Sequence, residues 1–427
     1  MPRRAADLLV DCLAAHAVDR VFCVPGESYL AALDALHDSN AIQTVICRHE
    51  GGAGFAAVGD AKLTGRPGIA FVSRGPGATN ASIAVHVAEQ DAVPLILFIG
   101  QVPRAEIGRH SFQEVDYAKT FADMAKAVYL VQDGARIPEI VARAFVEAQT
   151  PTPGPVVVVL PEDMLEDDVE AALVEPLAVP CAGPAAPADL DAILARVARA
   201  ERPLLIAGGG GIGTPRGRDA LRAASEAQQL PVALTFKRQD YFPNTHRHYA
   251  GHLGFKMPKA AIDRYLAADL ILAVGTRLGE ATTQGYTLPQ SPHPSQPLVH
   301  VHDDPRQIGR NYAAAHALVA DPIGFLEALA SRPGKAPAKR GQWLKTLNDP
   351  IAKNMAWSAP ADGLLDMGPV VAALAKTVER DAIFVTDAGN FAGWLHRHFP
   401  FSGEHLMIGC VGGAMGIGMP AAVAAAL

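Results

Sequence analysis

The sequence predicts an α/β protein made of doubly wound parallel sheets, and three observations carry that prediction. Short, wholly apolar runs recur at 20–24, 44–47, 68–72, 95–99, 127–131 and 156–160, with helical patterns such as 29–37, 52–62 and 137–148 between them. Strands that are apolar on both faces and alternate with helices belong to parallel sheets covered on both sides. The pattern then lapses over 166–187 and again from Ser331, where SRPGKAPAKRG begins, in stretches rich in Pro and Ala. Such stretches read as linkers. Finally, 427 residues, 49 % of them apolar and 19 % charged, supply material for two or three cores and too little charge for disorder.

Three units follow from those breaks. The first covers 1–165. The second covers 188–332, with strands at 203–207, 232–235, 270–274 and 298–302. The third covers 362–427, with a strand at 382–386, a glycine-rich stretch and a helix starting at Pro420. A complete doubly wound domain needs roughly 100–150 residues, so the third unit is expected to be only the beginning of one.

Composition excludes several classes. The net charge is -7 with no long run of one sign, which gives no footprint for nucleic acid or for an anionic membrane. Asp7 and Asp11 interrupt the N-terminal amphipathic stretch, so it lacks the apolar core of a signal peptide. No segment reaches the ~20 apolar residues of a membrane span. The five cysteines, Cys12, Cys23, Cys47, Cys181 and Cys410, are scattered and odd in number. They read as free thiols in a reducing cytoplasm.

The motif CRHEGGAGFAAVGDAKLTG (47–65) places Glu50 where an apolar strand gives way to a helix, followed by glycines that allow close approach of a backbone or ligand. A carboxylate at the carboxyl end of a strand is well placed for chemistry. The competing reading is a helix-start Glu that complements the macrodipole. The next segment, SRGPGATNASIAVHVAEQDAVPLILFIGQ (73–101), runs from a strand through a glycine turn to a helix and another strand. Its GPGATN either cradles an anion at the helix start or is a tight turn capped by Thr79 or Asn80.

In order along the chain stand VPGE (24–27), RHEGGAGFAAVGDA (48–61), GPGATN (75–80), DAVPLILFIGQV (91–102), FQEVD (112–116) and PGPVVVVLPEDM (153–164). Together they resemble the pyrimidine-binding domain of acetolactate synthase and its thiamine-diphosphate-dependent relatives, and the likeness continues through both later units. The resemblance implies that Glu50 activates the cofactor by sharing a proton with its pyrimidine ring, work that suits a carboxyl group held in an apolar cleft. It implies that Pro25 and Gly26 line the pyrimidine, that Asn80 lies in the loop near the reacting centre, and that Gln113 approaches that centre beside Phe112. In the third unit VTDAGNFAGW (385–394) and GCVGGAMGIGMPAA (409–422) resemble the start of the diphosphate-binding domain. Gly389 and Asn390 would then sit near the diphosphate. The backbones of Gly413 and Met415 would bond the aminopyrimidine, with the Met415 side chain bending the cofactor. The alternative for Met415 is core filling.

The family's metal motif, GDG followed by Asn, does not occur in these 427 residues. The Mg²⁺ ligands are therefore expected beyond Leu427, and the chain as written is expected to bind the cofactor poorly. GGGGIG (208–213) matches G-x-G-x-x-G behind a strand, but no acidic residue ends the next strand, which argues against a nicotinamide dinucleotide. FAD, which this domain holds in acetolactate synthases, is allowed but not favoured, because KRQDY (237–241) replaces a glycine-bearing loop. HVHDD (300–304) is read as a strand end with His300 and His302 on one face, not as a metal cluster.

Two positions bear on substrate. Glu27 stands where acetolactate synthases have a second glycine, and Arg74 where they have a small residue. Arg74 is either a surface arginine or an anchor for a substrate carboxylate, which a guanidinium matches bidentately. The absence of a paired-histidine motif in the first unit speaks against a pyruvate-decarboxylase type, and Glu50 speaks against glyoxylate carboligase. The leading expectation is a 2-oxo acid decarboxylase or carboligase acting on a small 2-oxo acid or acyl donor, as a homodimer or homotetramer with Glu50 of one subunit facing Met415 of the other. A lyase for 2-hydroxyacyl or oxalyl thioesters and a non-catalytic nucleotide-binding scaffold are the alternatives.

Overall fold

The computed structural model describes residues 2–255, 257–355 and 367–427. The expected start of a third unit near Asp362 lies outside the described residues. The chain forms two compact units. One comprises 1–180 with 385–388 and 410–427, and the other 181–384 with 389–409.

In the first unit α1 (Ala5–Ala15), β1 (Arg20–Cys23), α2 (Leu30–Asp38), β2 (Gln43–Ile46), α3 (Glu50–Thr64), β3 (Gly68–Val72), α4 (Pro76–Asp91), β4 (Leu95–Gln101), β5 (Ala127–Leu130), α5 (Ile137–Gln149) and β6 (Pro155–Pro161) follow in order. The strands make one sheet in the order β2-β1-β3-β4-β6-β5, with every neighbouring pair parallel. The three central strands β3, β4 and β6 are buried along their whole length, as their uninterrupted apolar sequences require. Leu9 and Leu13 of α1, Leu36 of α2 and Phe145 of α5 join Phe71, Phe98 and Val158 in the core of one face. On the other face α3 and α4 lie close together, and a methyl on Gly54 would fall 2.4 Å from Cβ of Ala84.

The second unit carries α6 (Pro187–Arg199), β7 (Pro203–Ala207), α7 (Pro215–Gln228), β8 (Val232–Leu234), β9 (Tyr249–His252), α8 (Lys259–Leu266), β10 (Leu270–Val274), β11 (Leu298–His302), β12 (His316–Val319), α9 (Pro322–Ala330), α10 (Arg340–Met355), α11 (Met367–Thr377) and α12 (Ala392–His398). Its sheet, β9-β8-β7-β10-β11-β12, is again parallel throughout. The four strands read from the sequence are its interior. The edge strands β9 and β12 were not legible, because YAGH and HALV carry glycine or histidine and lack a continuous apolar run. The last helix, α13 (Gly418–Ala426), belongs to the first unit. Among the described residues no helix is long and apolar enough to cross a membrane. All five cysteines are free thiols.

Among the described residues Arg340 is the largest wholly buried side chain. Its guanidinium donates to the carbonyls of Gln228 at 2.8 Å and Ala200 at 3.2 Å, and also to that of Val197, closing the ends of α6 and α7. Orphan carbonyls at buried helix ends are costly without such a donor. Arg340→Ala should therefore lower stability by about 3 kcal/mol, read as a lower urea midpoint at unchanged slope. A loss below about 0.5 kcal/mol, the scale of surface substitutions, would refute this role.

Candidate active site

In an open parallel sheet, ligands bind at the carboxyl ends of the strands, where the strand order reverses. In the first unit the chain winds from β1 to β2 on one side and to β3 on the other, so that point lies between β1 and β3. The loops leaving these strands meet there. Gly26 is extended (φ -153°, ψ 152°), and a methyl on it would stand 2.5 Å from Cβ of Ser73, so only glycine fits. The buried Ser28 ties the loops together. Its hydroxyl pairs with that of Ser73 at 3.0 Å and accepts from the Arg74 amide at 3.0 Å. Gly100 of β4 makes room for it, since a methyl there would fall 2.3 Å from Ser28 Oγ.

Glu50 opens α3, two residues earlier than the sequence pattern placed the helix, because His49 Nδ1 caps it by accepting from the Gly51 amide at 3.1 Å. The Glu50 carboxylate is half-buried. Its Oε2 accepts from Nδ2 of Asn80 at 3.0 Å, and its Oε1 lies 3.5 Å from where a side chain on Gly77 would begin. Both partners come from the first turns of α4, so GPGATN serves this carboxylate. The apolar cleft expected around Glu50 is not completed within this unit, where its hydrogen-bond partner is a polar, exposed Asn80.

Gly75, at φ 51° and ψ -101°, precedes α4, and its amide donates to the Tyr117 hydroxyl at 2.7 Å. Burial pushes that phenol up to about 12. The loop before Tyr117 lies over Gly75. Gln113 takes the left-handed φ of 65°, and its carbonyl is 2.7 Å from where a methyl on Gly75 would be. Phe112 is 75 % exposed. Arg74, only 11 % exposed, is ion-paired with Glu162 at 2.8 Å and Glu27 at 3.4 Å.

The segment holding Gly413 and Met415 is fixed from α4 and α3. Asp91, with no exposed side-chain surface, accepts from the amides of Val411 at 2.7 Å and Gly412 at 3.1 Å and pairs with Lys62. Beyond it α13 runs along α3. Pro420 is 3.8 Å from a methyl placed on Gly52, and one on Gly59 would fall 2.8 Å from Ala421. Gly413 has φ 71° and open space around it, and Met415 is 79 % exposed. Met415 is thus not core filler within this unit.

The structure therefore gathers Pro25, Gly26, Glu50, Arg74, Asn80 and Gln113 at one end of one sheet, and sets Gly413 and Met415 on a segment anchored to α4. It places Gly389 and Asn390, both exposed, in the second compact unit. Sequence reading missed Ser28, Ser73, Tyr117 and the Lys62–Asp91 pair. Only the repeated G-x motifs hinted at them, as glycines that something must approach.

In the second unit protein lies against parts of the glycine loop at 208–213, while Gly211 is exposed. A methyl on Gly210 would meet Pro322 at 2.8 Å, and one on Gly213 would meet the Tyr241 ring at 2.6 Å. No flavin is assigned there. His300 Nε2 bonds the Thr276 carbonyl at 2.8 Å and His302 Nδ1 accepts from the Asp304 amide at 2.9 Å, as expected of a strand end. Among the described residues no three His, Cys, Asp or Glu side chains are grouped to hold a metal.

Residues 3–120 match the family model described as "Thiamine pyrophosphate enzyme, N-terminal TPP binding domain", and residues 190–329 match "Thiamine pyrophosphate enzyme, central domain". The chain is 34 % identical to the acetolactate synthase large subunit of Parasynechococcus marenigrum, over 98 % of this chain and 69 % of that protein. It is 32 % identical to the isozyme 1 large subunit of Escherichia coli (99 % and 74 %) and 30 % identical to the large subunit of Lactococcus lactis (100 % and 74 %). The chain belongs to the thiamine-pyrophosphate-dependent enzymes of the acetolactate synthase family.

The Asp91 clamp gives a double-mutant test. Lys62→Met leaves a buried carboxylate uncompensated and should cost about 3 kcal/mol. Adding Asp91→Asn, which removes the charge but keeps an acceptor, should recover at least half of that in denaturant unfolding. Additive losses would contradict the clamp.

Proposed function

We propose that this chain decarboxylates a 2-oxo acid with thiamine diphosphate, releasing CO2, and passes the remaining acyl-anion equivalent to a proton or to a second carbonyl, as a decarboxylase or carboligase of the acetolactate synthase type. The observation that carries the reading is Glu50, placed at the switch point with one carboxylate oxygen held by Asn80 and the other left toward Gly77. The residues fit the cofactor's aminopyrimidine. Pro25 and Gly26 offer bare backbone, Glu50 offers a carboxyl for a ring nitrogen, and Gly413 offers open space on an anchored segment. When bound, thiamine diphosphate supplies a carbon acid that adds to a carbonyl and takes up the electron pair released on C–C cleavage.

The protein's own work is to position and to move one proton. Glu50 would hold a proton at the pyrimidine nitrogen, and Asn80 would fix the rotamer that presents it. Gln113, held at a left-handed φ against Gly75, would point a polar group toward the substrate. Arg74 would meet a substrate carboxylate by displacing Glu27, its longer contact. Gly389 and Asn390 are proposed for the diphosphate, with Mg²⁺ as its counter-ion. Self-association would cover the exposed Leu30, Ile46, Met415 and Met419 and complete the cleft around Glu50. Five unpaired thiols suit a reducing cytoplasm. The names of the relatives favour this reading over a thioester lyase or a scaffold.

Glu50→Gln should reduce kcat for 2-oxo acid consumption by roughly 10²–10⁴-fold while leaving cofactor affinity, measured by calorimetry, within about tenfold. An unchanged kcat would refute the assignment. For Arg74→Ala the expected outcome is a KM for the acid substrate raised about tenfold or more, from loss of a charge-assisted contact. An unchanged KM would remove Arg74 from the site.

A further inference from the structure

Beside Glu50 the first unit holds a carboxylate that the reaction does not use. Arg74 leaves the carboxyl end of β3 with its side chain 11 % exposed. Glu162, just after β6, accepts from its Nη1 at 2.8 Å. Glu27, the residue after Gly26, lies 3.4 Å from Nη2, beyond ordinary hydrogen-bond length. The Nε of Arg74, on the same edge of the guanidinium as Nη2, is buried and has no hydrogen-bond partner among the described residues. Nη1 is thus firmly bonded, whereas the Nε–Nη2 edge, the one that suits a bidentate carboxylate, is only loosely held.

Two carboxylates share this one guanidinium, so the cluster carries an excess negative charge. Among the described residues neither glutamate pairs with another cation. Arg104, which follows β4, is held by Asp163 and Asp167, each at 2.8 Å. With Glu162 in the closer contact, Glu27 is the surplus carboxylate. It is 66 % exposed, which leaves it free to turn, and it opens a single 3₁₀ turn, Glu27–Tyr29. Its place beside Glu50 is nevertheless fixed through the backbone. Cβ of Ser73 stands 2.5 Å from a methyl on Gly26 and 3.4 Å from one on Gly77, and the Gly77 methyl would stand 3.5 Å from Oε1 of Glu50.

A substrate carboxylate that takes the Nε–Nη2 edge must displace Glu27. An acid with a neutral tail breaks the Arg74–Glu27 pair and leaves Glu27 without a cation. An acid whose far end is cationic exchanges one pair for two, because its carboxylate takes Arg74 and its cation takes Glu27. An acid with a second carboxylate meets the excess negative charge instead. We propose that Glu27 is a specificity-determining residue that selects a 2-oxo acid ending in a positively charged group such as a guanidinium; this role rests on the reaction proposed above.

The test is calorimetric titration of the full chain, without thiamine diphosphate so that nothing turns over, with 5-guanidino-2-oxopentanoate, neutral 2-oxooctanoate and dianionic 2-oxoadipate. At low ionic strength the guanidino acid should bind about fivefold more tightly than the neutral acid, the scale of one partly exposed ion pair, and the dianion should bind weakest. The preference should shrink as salt is added. In Glu27→Gln it should fall to within about twofold, chiefly because the neutral acid no longer competes with Glu27 for Arg74 and binds more tightly, a gain that a damaged fold does not produce. In Glu27→Lys the dianion should become the best ligand of the three. Equal affinity for the guanidino and neutral acids, a preference that survives Glu27→Gln, or no saturable binding of the guanidino acid would each overturn the proposal. Consumption of the same acids by the chain supplied with thiamine diphosphate and Mg²⁺ is read separately. Turnover without the cation preference strikes the role of Glu27 and leaves the reaction standing, whereas the preference in binding without turnover of any acid strikes the reaction and keeps Glu27 as the selector.

Discussion

Between the ends of β1 and β3 two backbones approach so closely that neither Gly26 nor the chain beside Ser73 has room for another methyl group, and the candidate site is built outward from that contact. The Ser28 hydroxyl, buried and bonded to both sides, makes the approach possible without an orphan polar group. Ser73 then hands the chain to Arg74, Gly75 and α4, whose first turns supply Asn80 and Gly77 to Glu50. One close approach thus sets the distance between the cofactor's expected wall at Pro25–Gly26 and the carboxylate expected to act on it. Replacing any of these small residues by a larger one would move the carboxylate relative to the wall, a displacement of the size that costs catalysis more than stability.

The sheet explains why these residues meet although they come from stretches far apart in the sequence. Parallel strands deliver all their outgoing loops to one edge, so 25–28, 49–50, 73–80 and 101–117 converge without any local signal linking them. The helices α3 and α4 that leave this edge are unusually poor in bulk. Their glycines and alanines let them lie close to each other, and on α3 they admit α13 as well.

Much of the fold could be read directly from the amino acids. Buried strands such as LILFIGQ and PVVVVLP announce themselves because both faces must be apolar, whereas YAGH and HALV, at the sheet edge, obey no such demand. Of the site, Glu50 and Gly26 were singled out through the resemblance of their motifs, Glu50 also through its place at a strand's carboxyl end. Ser28, Tyr117 and Asp91 were not, since a serine, a tyrosine or an aspartate acquires its role only from a partner 45, 42 or 320 residues away. Arg74 shows the converse. Its type suggested an open anion anchor, but two glutamates, Glu27 and Glu162, already share it.

As proposed, Glu50 would hold a proton at the cofactor's pyrimidine nitrogen, and the cofactor would supply a thiazolium carbon acid made labile by that proton. Quenched-flow NMR of hydrogen–deuterium exchange at C2 of bound thiamine diphosphate reads this without any substrate. Exchange is expected to run orders of magnitude faster on the protein than in free cofactor, and to return toward the free rate when Glu50 is replaced by Gln. Equal acceleration by both proteins would contradict it.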